Sequence, residues 1–194
     1  MAPVKIENAL TPDTCDFLVA FIKENPKAFI NDAQVIGQFK NKTLSYKILH
    51  RNMQAPFGSI ERALNYARFL GQTYIYKNFG ELAFPDNTEL TFWNPGDSMS
   101  VHSDNSWQEN APDHVKDMEH PTNYRDYSVI FYLNDDYEGG EIYFPDHDIE
   151  ISPKKGMAVV FPSNGDYNHG VKEIKNSQRF TIPVWYSKQL VYAE

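Results

Sequence analysis

His102 and Asp104, in the stretch MSVHSDNSW (99–107), place an imidazole two residues from a carboxylate. On an extended strand, residues i and i+2 point to one face, so the pair would present a nitrogen and an oxygen donor side by side. These are two of the three ligands of a 2-His-1-carboxylate facial triad, a set that leaves positions open on Fe(II) for substrate and oxygen. The single cysteine, Cys15, excludes a thiolate cluster and an intramolecular disulfide, so any metal relies on His, Asp and Glu. No His-Glu-x-x-His helix and no His-x-His pair is present, which argues against a zinc hydrolase and against a non-catalytic cupin-like binding module.

The second histidine must come from elsewhere. His50, His114, His120 and His147 lie in polar or turn segments and read as solvated side chains. His169 differs: it opens the strand HGVKEI (169–174), after the apolar strand GMAVVFP (156–162) and the turn SNGDYN (163–168). Further on, RFTIPVWY (179–186) alternates. Phe180, Ile182 and Val184 form an apolar face for packing, and Arg179, Thr181, Pro183 and Trp185 point the other way, into a barrel. An arginine facing an interior is costly unless an anion meets it, and a carboxylate suits the guanidinium fork. In YSVIFYLN (127–134), Tyr127, Val129, Phe131 and Leu133 share one face, with Ser128, Ile130 and Tyr132 on the other. Tyr132 facing inward would share the anion with Arg179 and Thr181.

The elements that must position these residues follow from periodicity. TPDTCDFLVAFIKEN (11–25) carries a helix start, with Thr11 as N-cap, Pro12 at the first position, and Phe17, Leu18, Phe21 and Ile22 on one face. A second helix is expected over 59–79, capped by Ser59, with Glu61 in its first turn and Leu64, Ala67 and Leu70–Gly71 as its stripe. A strand is expected over 43–50. From residue 89 the period becomes two, and short strands are expected at 89–94, 99–104, 127–133, 141–144, 148–152, 157–162, 169–173 and 179–187, separated by turn signals such as NPGD, PDHD and SPKKG. The fold class is therefore mainly β, with N-terminal supporting helices over about 1–88 and a double-stranded, jelly-roll core over about 89–187, read as one domain spanning 1–194. One connection, 105–126, is too long for an ordinary loop and is the candidate substrate-contacting lid.

The chain has 194 residues and a formal net charge of -8, with an aromatic content of 14% that argues against disorder. An acidic surface disfavours nucleic acid as a partner. The N-terminus lacks signal-peptide features and no apolar run reaches a bilayer-spanning length, so no membrane partner and a cytoplasmic location are expected.

Four motifs in this order, HSD (102–104), YLNDDYEGGEIYFP (132–145), HGV (169–171) and RFT (179–181), resemble the Fe(II)/2-oxoglutarate-dependent dioxygenases, and within them the prolyl 4-hydroxylase branch and its hypoxia-inducible-factor-type members. The resemblance covers about residues 89–187. It implies that His102, Asp104 and His169 bind Fe(II), and that Arg179, Thr181 and Tyr132 hold the distal carboxylate of 2-oxoglutarate. It also implies that these residues sit on neighbouring strands of a double-stranded β-helix, with EGGE as a structural turn. Trp93 stands where the family often has a tyrosine; with Asn105, Trp107 and Trp185 it is a candidate contact for substrate or 2-oxoglutarate.

The activity so implied is hydroxylation of an unactivated C–H bond, using O2 and releasing succinate and carbon dioxide, with ascorbate as a candidate reductant. The expected substrate is a prolyl residue of a protein or peptide, hydroxylated at the 4-position; the alternative is a free amino acid or other small molecule. Ligand histidines must be neutral, so activity is expected to fall at acidic pH.

Overall fold

The computed structural model describes residues 1–26, 30–31, 42–45, 57–107 and 111–193. The strands are β1 (Val4–Ile6), β2 (Ile30–Asn31), β3 (Lys42–Ser45), β4 (Phe84–Trp93), β5 (Met99–His102), β6 (Tyr127–Tyr132), β7 (Glu138–Gly139), β8 (Ile142–Phe144), β9 (Ile149–Ile151), β10 (Ala158–Pro162), β11 (His169–Val171), β12 (Ile174–Lys175) and β13 (Arg179–Ser187). The helices are α1 (Pro12–Glu24), α2 (Phe57–Phe79) and the short α3 (Asp113–Lys116). An antiparallel major sheet runs β1-β10-β6-β13-β4-β3-β2, a minor sheet runs β5-β11-β8-β9, and β12 pairs with β7. This is the double-stranded β-helix expected from the period-two half of the sequence. The sheet also recruits residues outside that half: Val4–Ile6 pair with β10, and β4 begins at Phe84.

Alternation along the central strands divides the molecule. Phe180, Ile182 and Val184 of β13 and Val129, Phe131 and Leu133 of the β6 segment lie in one apolar cluster with Leu18, Phe21 and Ile22 of α1 and Ile60, Leu64 and Ala67 of α2. The opposite row faces the minor sheet, where Tyr132 packs with Ile142, Phe144, Met157, Val159 and Phe161. In register, Thr181 lies between Tyr132 and Thr91, and Arg179 lies beside Trp93. The β13–β4 ladder skips from Thr181–Thr91 to Val184–Thr88, where Pro183 has no N–H to donate.

The helices differ from expectation in detail. Thr11 does cap α1, its hydroxyl accepting from the Thr14 N–H at 3.3 Å. The buried face is Cys15, Leu18, Phe21 and Ile22, and Phe17 points to solvent, because positions 15, 18 and 22 follow the helical repeat more closely than 17 does. The second helix begins at Phe57, so Ser59 lies inside it, where its hydroxyl accepts from Arg62 at 2.9 Å. The strand expected at 43–50 is present at Lys42–Ser45; residues 46–50, His50 among them, lie outside the described residues. No described helix is long and apolar enough to cross a membrane.

At Gly71, α2 comes close to the sheet. Tyr186, at the end of β13, lies across it and donates its hydroxyl to the Arg68 carbonyl at 2.9 Å. A β-carbon at position 71 would come within 2.7 Å of the Tyr186 Cζ. Gly71→Ala should therefore lower the unfolding free energy by about 1–3 kcal/mol in urea titrations, as overpacking does, despite alanine's better helix propensity. A gain in stability would show that the helix does not pack on Tyr186 this tightly.

Candidate functional site

β5 and β11 pair antiparallel with His169 opposite His102. The rings lie 4.4 Å apart, with Phe144 and Phe161 covering His169. Each imidazole is oriented by its own backbone: His102 Nδ1 lies 3.0 Å from the Ser100 carbonyl, and His169 Nδ1 lies 3.0 Å from the Tyr167 carbonyl. A carbonyl only accepts, so both Nδ1 atoms carry a proton, and in the neutral imidazoles the lone pair is on Nε2. Those lone pairs converge on Asp104, with His102 Nε2 3.6 Å from Oδ1 and His169 Nε2 3.9 Å from Oδ2. The three donor atoms lie within 4.8 Å of one another, and among the described residues no other group of three His, Cys, Asp or Glu does this.

The strand expected at 99–104 ends at His102, and Asp104 sits in the bend that follows. The carboxylate therefore reaches the histidines because the chain turns, not because it shares a strand face with His102. It is held there from the opposite sheet. Ser128 of β6 donates to Asp104 Oδ2 at 2.5 Å and stands 2.8 Å from Ser163 Oγ. A serine has one proton to give, so Ser163 donates to Ser128 and Ser128 to Asp104. Ser163 also anchors the other side of the bend, its carbonyl accepting from Ser103 at 3.0 Å.

The electrostatics match a cation site. Burial disfavours the imidazolium of His102, but the hydrogen bond and charge of Asp104 outweigh it and raise the pKa above the ordinary histidine value. Burial, then the neighbouring His102, pushes His169 down to about 4, so its lone pair stays available at neutral pH. Burial works against the charge of Asp104 too, yet His169 and His102 hold it well below the usual carboxylate range. Two imidazole nitrogens and one carboxylate make up the donor set that suits Fe(II) with open positions.

Along the same inner surface lies a second, differently built region. Arg179 is 1% exposed and no carboxylate pairs with it among the described residues. Its guanidinium lies 5.2 Å from the Trp93 ring and 5.1 Å from the Tyr132 ring. Six buried side-chain polar atoms among the described residues have no hydrogen-bond partner, and five of them surround this point: Thr91 Oγ1, Trp93 Nε1, Tyr132 Oη, Tyr137 Oη and Arg179 Nε. Each is able to donate, and two of them only donate. Leaving such groups unsatisfied is costly, so the region fits a ligand rich in acceptors, as a carboxylate is. The arginine does not neighbour the metal-binding strands as expected; it comes from the major sheet and faces them across the barrel.

The remaining candidates serve the walls. Trp185 follows Ser128 in register and lies under the Arg125 guanidinium at 4.3 Å, which also pairs with Asp86 at 3.1 Å. Asn105 donates to the Arg125 carbonyl at 2.7 Å, and Trp107 Nε1 donates to the Met118 carbonyl at 2.9 Å with its ring edge-on to His120. These two tie the long connection together and spend their side-chain donors on its backbone. Of the solvated histidines, His147 meets the Asp166 carbonyl and His114 is exposed, both away from the donor cluster. Ser128, Thr91 and Tyr137 were not singled out from sequence as site residues. Alternation places Ser128 on the Tyr132 face, which is the one signal for it.

The matched family model is that of the 2OG-Fe(II) oxygenase superfamily, over residues 88–187. The chain belongs to that superfamily, whose chemistry uses Fe(II), 2-oxoglutarate and O2. It is 36% identical to rat prolyl 3-hydroxylase 2 over 104 residues, 50% of this chain and 14% of that protein. It is 41% identical to human prolyl 3-hydroxylase 1 over 97 residues, 47% of this chain and 13% of that protein. The chain thus aligns with about one seventh of the length of these relatives. In fold it is similar to a viral collagen prolyl hydroxylase of Paramecium Bursaria Chlorella virus-1 (TM-score 0.67, 17% identity, 96% of each chain). It is also similar to a Trichoplax adhaerens prolyl hydroxylase in complex with a hypoxia-inducible-factor peptide (TM-score 0.72, 16% identity, 96% of this chain and 83% of that one).

Because Ser128 orients Asp104, Ser128→Ala should weaken Mn(II) or Fe(II) binding by about 10–100-fold in titration calorimetry while the protein stays folded. Unchanged affinity would remove Ser128 from the metal-binding arrangement.

Proposed function

We propose that this protein is a 2-oxoglutarate-dependent prolyl hydroxylase acting on a peptide or protein. The observation that carries the reading is the pairing, inside one double-stranded β-helix, of a His-Asp-His donor cluster with a buried arginine ringed by unpartnered donors. In this reading His102, Asp104 and His169 hold Fe(II), leaving positions for co-substrate and oxygen. Arg179, with Tyr132 and Thr181, takes the far carboxylate of 2-oxoglutarate, and Trp93 forms the wall on which the guanidinium rests. Bound iron and 2-oxoglutarate supply the oxidising power for C–H hydroxylation, with release of succinate and carbon dioxide. The protein's own part is to hold the ligand geometry, to fix the co-substrate by its anionic end, and to keep water out with Phe144 and Phe161. Ascorbate would serve as the reductant that maintains Fe(II).

The substrate class is supported by the sequence relatives, which are prolyl 3-hydroxylases. The motif resemblance favours the 4-position of the ring, whereas the sequence relatives carry the 3-hydroxylase name, so the product's regiochemistry separates the two.

The test is mass spectrometry of a panel of proline-containing peptides incubated with Fe(II), 2-oxoglutarate and ascorbate. A gain of one oxygen atom on proline, lost in His102→Ala and Asp104→Ala, is the expected result. Arg179→Ala should raise the 2-oxoglutarate requirement by roughly 30-fold or more, the cost of removing a buried charge partner. Succinate release with no peptide hydroxylated would overturn the prolyl reading in favour of a small-molecule substrate; no succinate at all would overturn the enzyme assignment.

A further inference from the structure

The EGGE turn has no role in the site as described so far. The chain leaves β6 at Tyr132, and Gly139 and Gly140 adopt φ of 71° and 67°, the left-handed region that glycine enters at little cost. A β-carbon on Gly140 would lie 2.8 Å from the Tyr137 ring and 3.2 Å from Arg179 Cδ. The glycine therefore creates the space in which the Tyr137 ring and the stem of Arg179 meet. The ring packs with Trp93, Val171 and Ile174, which leaves the hydroxyl as the only polar part of Tyr137's side chain to be accounted for.

That hydroxyl is buried and without a hydrogen-bond partner. It lies beside the Arg179 guanidinium and near Tyr132; a guanidinium only donates, so Arg179 can satisfy the oxygen but leaves the hydroxyl's own proton without an acceptor. Burial pushes its pKa up to about 12, against the pull of Arg179, so at neutral pH it keeps its proton and is a donor. Phenylalanine would fill the same volume without burying a hydroxyl proton that no described acceptor meets, so ring packing alone does not account for the tyrosine. The atoms nearest to it in chemical kind, Tyr132 Oη, Trp93 Nε1 and Arg179 Nε, share the same condition. One acceptor-rich ligand would satisfy them together.

We propose that Tyr137 is a co-substrate specificity residue: its hydroxyl completes the donor set around the distal carboxylate of a 2-oxo dicarboxylic acid and so selects it over 2-oxo acids lacking that group. This rests on the reading of the centre as a 2-oxoglutarate site. The EGGE turn then acts through Tyr137, its glycines allowing a loop residue to join Arg179 from the side that neither sheet supplies.

The test uses the full chain loaded with Mn(II), and calorimetric titration with 2-oxoglutarate and with 2-oxopentanoate, which has a methyl group in place of the distal carboxylate. The wild type should prefer 2-oxoglutarate. Tyr137→Phe should weaken 2-oxoglutarate binding roughly tenfold or more, the loss expected for a buried hydrogen bond to a charged group, with 2-oxopentanoate and Mn(II) affinities unchanged. Equal weakening of both acids would mean that the substitution merely disturbs the pocket and would overturn the proposal, as would an unaltered 2-oxoglutarate affinity. Failure of the wild-type protein to bind 2-oxoglutarate would instead overturn the reading on which the proposal rests.

Discussion

Lone pairs on His102, His169 and Asp104 are forced to face one another in a buried space, and much of the surrounding structure exists to hold them there. Lone pairs and negative charge at such separations repel unless a positive charge, a proton on His102 or a metal ion, lies between them. The arrangement persists because each group is tied from behind. The histidines donate to carbonyls two residues earlier on their own chain, and Asp104 is gripped by Ser128. Two of these ties are local to the minor sheet and the third crosses from the major one. The centre therefore forms only when the two sheets close on each other, and the closing is driven from the other side by the apolar cluster that α1 and α2 make with β6 and β13.

One strand shows how the two requirements are reconciled. β13 gives Phe180, Ile182 and Val184 to the helices and Arg179 and Thr181 to the barrel. A register shift by one residue would send the arginine into the apolar layer and Phe180 into the anion pocket, so burial on one face enforces the chemistry on the other. The same division runs along β6, where Val129 and Phe131 serve the core while Ser128 reaches the metal ligand and Tyr132 the arginine. The His-Asp-His cluster and the Arg179 region thus share a wall and are spaced along it by the strand repeat. The interior is donor-rich at one end and lone-pair-rich at the other, a polarity that suits a molecule offering a chelating end and an anionic end.

How much of this is legible in the sequence depends on whether the information is local. Alternation suffices to place Arg179, Thr181, Tyr132 and Ser128 on the inner face, and the order of motifs suffices to join His102 with His169. Asp104 was expected to act through a strand periodicity that stops two residues short of it; its position depends on a bend whose anchors, Ser163 and Ser128, lie far along the chain. The arginine's place on the facing sheet rather than a neighbouring strand is likewise a matter of topology, which pattern alone does not convey. Helix boundaries failed at Ser59 and Phe17 for a simpler reason: several residues satisfy a cap or a stripe, and packing against the sheet decides among them. Tyr137 sits in a turn-rich stretch and becomes interesting only when the glycines bring it to Arg179.

The long connection after the HSD motif shows why a loop and a metal ligand should be considered together. Its far end is attached to the site and not left in solvent: Thr122 donates its hydroxyl to the Asp104 carbonyl at 2.7 Å, and Asn105 donates to the Arg125 carbonyl. Arg125 in turn covers Trp185 and pairs with Asp86, so the segment meets β13 and β4 as well. Trp107 packs edge-on against His120, whose Nδ1 lies 3.1 Å from the same Thr122 hydroxyl. Loop residues outside the donor cluster are therefore joined to Asp104 by a chain of contacts. Variation in this segment is constrained by the need to keep Asp104 in place.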